Sequence, residues 1–140
     1  MAWERPVLDL PAIVAGQDFS ASGGLAGPNG TGQFLFVKLS ASDTVVVCNG
    51  HDDNAVGISQ GNSKSGDALQ VRAIGVSKVK VGSGSLKAGD EVGSDSTGQA
   101  VKITPTATGA NFGAFVYGVM MEDVTNGDIG TVLLDRKYRV

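Results

Sequence analysis

From Gln33 onward, turn residues cut the chain into short apolar runs about every 8–12 residues, a spacing that leaves room for strands and little else. The runs cover residues 33–39, 44–48, 55–58, 68–74, 76–81, 100–104, 112–121 and 129–135. In the fourth, Leu69, Val71 and Ala73 share one face and Gln70 and Arg72 the other. In the fifth, Val79 and Val81 lie opposite Lys78 and Lys80, and Gly75 between the two runs permits a bend or bulge. No amphipathic helix longer than one or two turns is legible.

One strand–turn–strand pattern occurs twice. Val56-Gly57-Ile58 leads through a polar loop to Gly66-Asp67, and Tyr117-Gly118-Val119 leads the same way to Gly127-Asp128. An apolar strand follows each Gly-Asp pair, so one hairpin design is expected at both places. Leu86-Lys87-Ala88-Gly89-Asp90-Glu91-Val92 carries a third Gly-Asp turn.

Composition agrees with an all-β reading and narrows the function. Glycine supplies 21 of 140 residues, which favours tight turns, and 41% hydrophobic residues are too many for a disordered chain. The length suits a single domain with a true core. A net charge of −3 with both signs mixed speaks against nucleic-acid binding; the only basic cluster is Arg136, Lys137 and Arg139. A lone cysteine, Cys48, rules out an internal disulfide. No apolar run approaches the roughly 18 residues of a membrane span, and Glu4, Pro6, Asp9 and Pro11 break any secretion-signal helix, so synthesis in the cytoplasm is expected.

Residues 1–31 differ from the rest. Pro6 and Pro11 lie among Val7, Leu8, Leu10, Ile13 and Val14, which predicts an extended segment, and residues 20–32 read as a flexible Gly/Ser/Ala-rich loop. Such an arm can lie along its own domain as an edge strand or reach a neighbouring subunit and extend its sheet.

Catalytic and metal chemistry find no support. Cys48 and His51 have the spacing of half a zinc knuckle, but the other half is missing, and residues 49–54 suit a polar turn. Cys48 closes an apolar strand and is expected to be a small core residue, not a nucleophile. No Gly-x-Ser-x-Gly elbow is present, and residues 27–32 lack the Lys-Ser/Thr ending of a phosphate-binding loop. The paired acids Asp52/Asp53, Asp90/Glu91 and Glu122/Asp123 all fall at turns or strand ends, where solvated carboxylates are the default. The expectation is no enzyme, no cofactor and no metal.

The ordered set of elements resembles a known family. Val56-Gly57-Ile58, the Gly66-Asp67 turn, the strand 69–75, the Leu86–Val92 segment, Ser94-Asp95-Ser96-Thr97-Gly98-Gln99-Ala100 and Tyr117-Gly118-Val119 with Gly127-Asp128 are similar, in that order, to the small phage capsid decoration, or cement, proteins. The similarity spans residues 54–134. It implies a small β-barrel or sandwich of short antiparallel strands at 32–140, behind an extended N-terminal arm at 1–31. It implies a homotrimer on the capsid exterior of the virion, bracing major capsid proteins against the pressure of packaged DNA, with no nucleic-acid or membrane partner. Trp3, Val7, Leu8, Leu10 and Ile13 are the expected arm contacts, because desolvated aromatic and aliphatic anchors supply most interface energy. The alternative is a tail, baseplate or glycan-binding β-module, with Trp3, Phe112, Phe115 and Tyr117 as its candidate aromatics.

Overall fold

The computed structural model describes residues 2, 4–10, 12–104 and 113–139, with backbone alone for 5–7 and 136–139. The chain is all-β. Its strands are β1 (Arg5–Leu10), β2 (Val14–Ala15), β3 (Phe36–Ala41), β4 (Thr44–Val47), β5 (Ala55–Ser59), β6 (Val71–Lys80), β7 (Glu91–Ser94), β8 (Ala100–Lys102), β9 (Phe115–Met120) and β10 (Ile129–Arg139). They form one sheet in the order β2-β4-β3-β5-β6-β10-β9-β7-β8, with β1 added to β6 off that path. All pairings are antiparallel except β2 with β4.

The sheet does not close into the expected barrel. The terminal strands β2 and β8 are only two and three residues long and do not pair with each other. The sheet instead curls until its two halves share a core. Phe36 and Ile58 from one half lie in one buried cluster with Val92, Ala100 and Tyr117 from the other. The N–H of Phe36 donates to the Gly98 carbonyl at 2.8 Å, tying the β7–β8 turn to β3 without a ladder. Cys48 is buried in this cluster. Burial, aided by the Asp53 charge, pushes its thiol up to about 12. The native protein is therefore expected to leave a thiol-specific reagent unreacted at pH 8 and to react fully once denatured, as a colorimetric thiol assay would read.

The expected hairpin duplication is present to the level of register. In the first copy Ile58 pairs with Arg72 and Ser59 with Val71. In the second, Val119 pairs with Leu133 and Met120 with Val132. The glycine before each pair is forced. A Cβ on Gly57 would stand 2.3 Å from the Arg72 carbonyl oxygen, and one on Gly118 would stand 2.3 Å from that of Leu133.

The three Gly-Asp turns are also one device. In each, the Asp N–H donates at 3.0 Å to the carbonyl three residues back (Lys64, Lys87, Thr125). Gly66, Gly89 and Gly127 take φ of 89, 91 and 87°, as the third residue of such a turn requires. Each turn then grips one distant residue through two backbone hydrogen bonds. Gly66 N–H donates to Ala15 and Ala15 N–H to Asp67; Gly89 and Asp90 hold Met120, and Gly127 and Asp128 hold Val81, in the same way. The first grip belongs to the N-terminal segment, so residues 13–16 are built into the body. The Gly/Ser/Ala-rich stretch behind them folds into two 3-10 turns, Ala21–Gly23 and Pro28–Gly30. Asp18 stabilises the first of them by accepting from the Ser20 N–H and hydroxyl.

Candidate interaction surface

Where the N-terminal strand lies decides what surface the protein offers. β1 runs antiparallel along β6 from Arg5↔Val76 to Leu10↔Val71, with register shifts on both sides of Leu8. A charged clamp holds it there. Arg72 Nε donates to Asp9 Oδ1 at 3.0 Å, and Arg72 Nη1 lies 3.2 Å from Glu4 Oε2. Gln70 donates to the second Asp9 oxygen. Burial alone would lower the basicity of this guanidinium, but the hydrogen bond to Asp9 and the carboxylate charges of Asp9 and Glu4 outweigh it, and the Arg72 pKa is raised. Simple alternation assigns Arg72 to the face opposite Val71. It is nonetheless buried, because β1 brings two carboxylates to meet it.

The clamp leaves an aliphatic pair on the surface. Leu8 and Ile74 are cross-strand partners, 45% and 46% exposed. An apolar groove of about 840 Å³ opens beside them, with Leu10, Ile13, Leu39, Ile74, Tyr117, Leu134 and the β3–β4 turn in its lining. Leu39, at 52%, is the most exposed large aliphatic among the described residues. Among the described residues, Asp43 is the only charged one in the lining.

The expected arm residues divide sharply in this geometry. Trp3 lies outside the described residues, and Val7 is described as backbone of β1 only. Leu8 is exposed, while Leu10 is half-buried and packs on a second buried cluster, distinct from the one around Phe36. Ile13, 7% exposed, belongs to that cluster with Phe19, Val37 and Val71 and also lines the groove. Ile74 and Leu39 were not among the residues expected from sequence. Ile74 sits just before Gly75, whose φ of 116° turns the strand and ends the simple alternation; that glycine was the available signal.

The cluster of metal-ligand residue types around Cys48 is a structural loop. Asp53 accepts from Lys38 Nζ at 2.9 Å and from the Asn49 N–H at 2.7 Å. The Tyr117 hydroxyl donates to the Asp53 carbonyl and accepts from the Ala55 N–H at 2.7 Å. The His51 carbonyl accepts from the Phe115 N–H at 2.8 Å, while its side chain borders a separate polar depression with Ser94 and Lys102. Among the described residues, no group of three His, Cys, Asp or Glu side chains is placed to hold a metal. Tyr117→Phe is expected to cost about 1 kcal/mol, read by chemical denaturation, because the Ala55 N–H and the Asp53 carbonyl lose the hydroxyl and keep only their mutual 3.1 Å hydrogen bond. Of the candidate sugar-stacking aromatics, Tyr117 is buried and Phe115 stacks on it with ring centroids 5.9 Å apart; Phe112 lies outside the described residues.

No curated protein matches this chain. Among solved structures, the N base of the head fibre protein gp8.5 of bacteriophage phi29 is similar, with a TM-score of 0.60 over 93% of this chain and 95% of that one. At 14% identity the likeness is one of fold. The family model for phage cement proteins matches residues 36–135, nearly all of the sheet beyond β2; the chain belongs to that family and is a structural protein associated with the phage capsid.

Proposed function

We propose that the protein binds the outer surface of the phage head and cements neighbouring major capsid proteins against the pressure of packaged DNA, acting as a homotrimer without catalysis. The observation that carries this reading is the exposed aliphatic surface of Leu8, Ile74 and Leu39 around the apolar groove. A contiguous apolar patch on a soluble domain marks an interaction site. Leu8 and Leu10 contribute to the contact from β1, together with Trp3 and Val7 upstream. Ile13 serves it by anchoring that strand to the core. Three copies of a modest contact, joined in one rigid trimer, raise the overall affinity through effective concentration.

The test is co-sedimentation with purified heads that lack the protein. Leu8→Asp and Ile74→Asp change exposed side chains, so both variants are expected to fold normally. Each is expected to bind at least about tenfold more weakly, the equivalent of losing about 1.4 kcal/mol. Undiminished binding by the double variant would place the capsid contact elsewhere. Light scattering of the free protein tests the trimer.

A further inference from the structure

We propose that β1 is an exchangeable strap: in the oligomer, Arg5–Leu10 of one copy lies on β6 of a second copy, gripped by that copy's Arg72. This rests on the oligomeric reading above and goes beyond it in naming the shared element.

Five observations lead there. β1 is the one strand off the main path of the sheet, paired only with β6. Its register slips twice within six residues, so the ladder alone fixes its place weakly. Only residues 11–13 connect it to β2, and Ala12 among them holds a left-handed φ of 57°. An alanine there is strained, and short strained hinges favour exchange of the flanking element between copies. Beyond the hinge the chain is firmly held, with Ile13 in the core and Ala15 gripped by the Gly66-Asp67 turn, so a strand that leaves its own seat has a fixed base to swing from. The seat itself is chemically specific. A strap must bring Glu4 and Asp9 to Arg72 and set Leu8 against Ile74, and the strap best matched to it is another copy of the same residues. Extending the hinge relieves Ala12 and keeps every contact of the clamp, which is why exchange is a low-cost route to an oligomer.

Cross-strand disulfides read the outcome directly. Cys48 is buried and does not compete. The double variant Leu8→Cys/Ile74→Cys, oxidised at oligomer-forming concentration, is expected to run as covalent dimers and larger species on a non-reducing gel. Chains carrying Leu8→Cys alone, mixed and refolded with differently tagged chains carrying Ile74→Cys alone, are expected to give a cross-linked heterodimer. A double variant that closes only within its own chain overturns the strap, and so does a failure of both preparations to cross-link. Head binding by the unsubstituted protein, whose Leu8 and Ile74 are intact, is measured in parallel. Binding with intrachain closure rejects the exchange and keeps the capsid reading; cross-linked oligomers that ignore heads do the reverse.

Discussion

Gly118→Ala is expected to destabilise the protein by about 3 kcal/mol, with Gly57→Ala close behind. The new methyl carbon would sit 2.3 Å from a backbone carbonyl oxygen of the neighbouring strand in either case. Backbone oxygen cannot rotate aside as a flexible side chain can, so two paired strands must part. Gly127→Ala is the matched control. Its φ of 87° penalises alanine, yet nothing lies within 4 Å of the added atom, and about 1 kcal/mol is expected from backbone strain alone. Thermal unfolding should separate the two kinds of glycine by several degrees. Equal losses at Gly118 and Gly127 would mean that the close strand approach is not what requires glycine in the duplicated hairpin.

The second large effect is expected at Arg72. Arg72→Ala removes the cation shared by Glu4 and Asp9 and leaves two carboxylates facing each other beneath β1. Breaking a buried pair from one side costs about 3–5 kcal/mol. The lower end applies, because the two carboxylate side chains keep 29% and 26% of their exposure to solvent. Hydrogen exchange should show β1 and the facing part of β6 losing protection while β9 and β10 keep theirs. The triple variant Arg72→Leu/Glu4→Gln/Asp9→Asn is expected to recover most of the loss, since it removes every charge together. A triple variant as unstable as Arg72→Ala would show that packing of the arginine stem, not charge, holds the strand.

The fold was legible where local chemistry decides it. Gly-Asp pairs demand turns, period-2 alternation demands strands, and both appeared at Gly66-Asp67, Gly127-Asp128 and Val79–Val81 as expected. What the pattern did not convey was long-range. Nothing near Gly66-Asp67 announces that it grips Ala15, because a backbone hydrogen bond to a distant residue leaves no mark in the side chains. The curled, unclosed sheet was equally hidden, since closure depends on how short β2 and β8 are. Arg72 was read by alternation, and its burial depends on carboxylates more than sixty residues away in sequence. For the interaction surface, the aliphatic row of the N-terminal segment was visible. Its division into the exposed Leu8 and the buried Ile13 was not, because a row of aliphatics reads alike whether it meets its own core or a partner.

Membership of the phage cement family establishes a capsid-associated structural protein. Whether it carries mechanical load is decided by one measurement: release of packaged DNA on heating from purified heads that lack the protein, with and without saturating amounts of it added back. Cementing predicts that added protein raises the release temperature and that the Leu8→Asp/Ile74→Asp variant does not. Identical release curves for bare heads and for heads shown to be saturated with protein would contradict the cementing role.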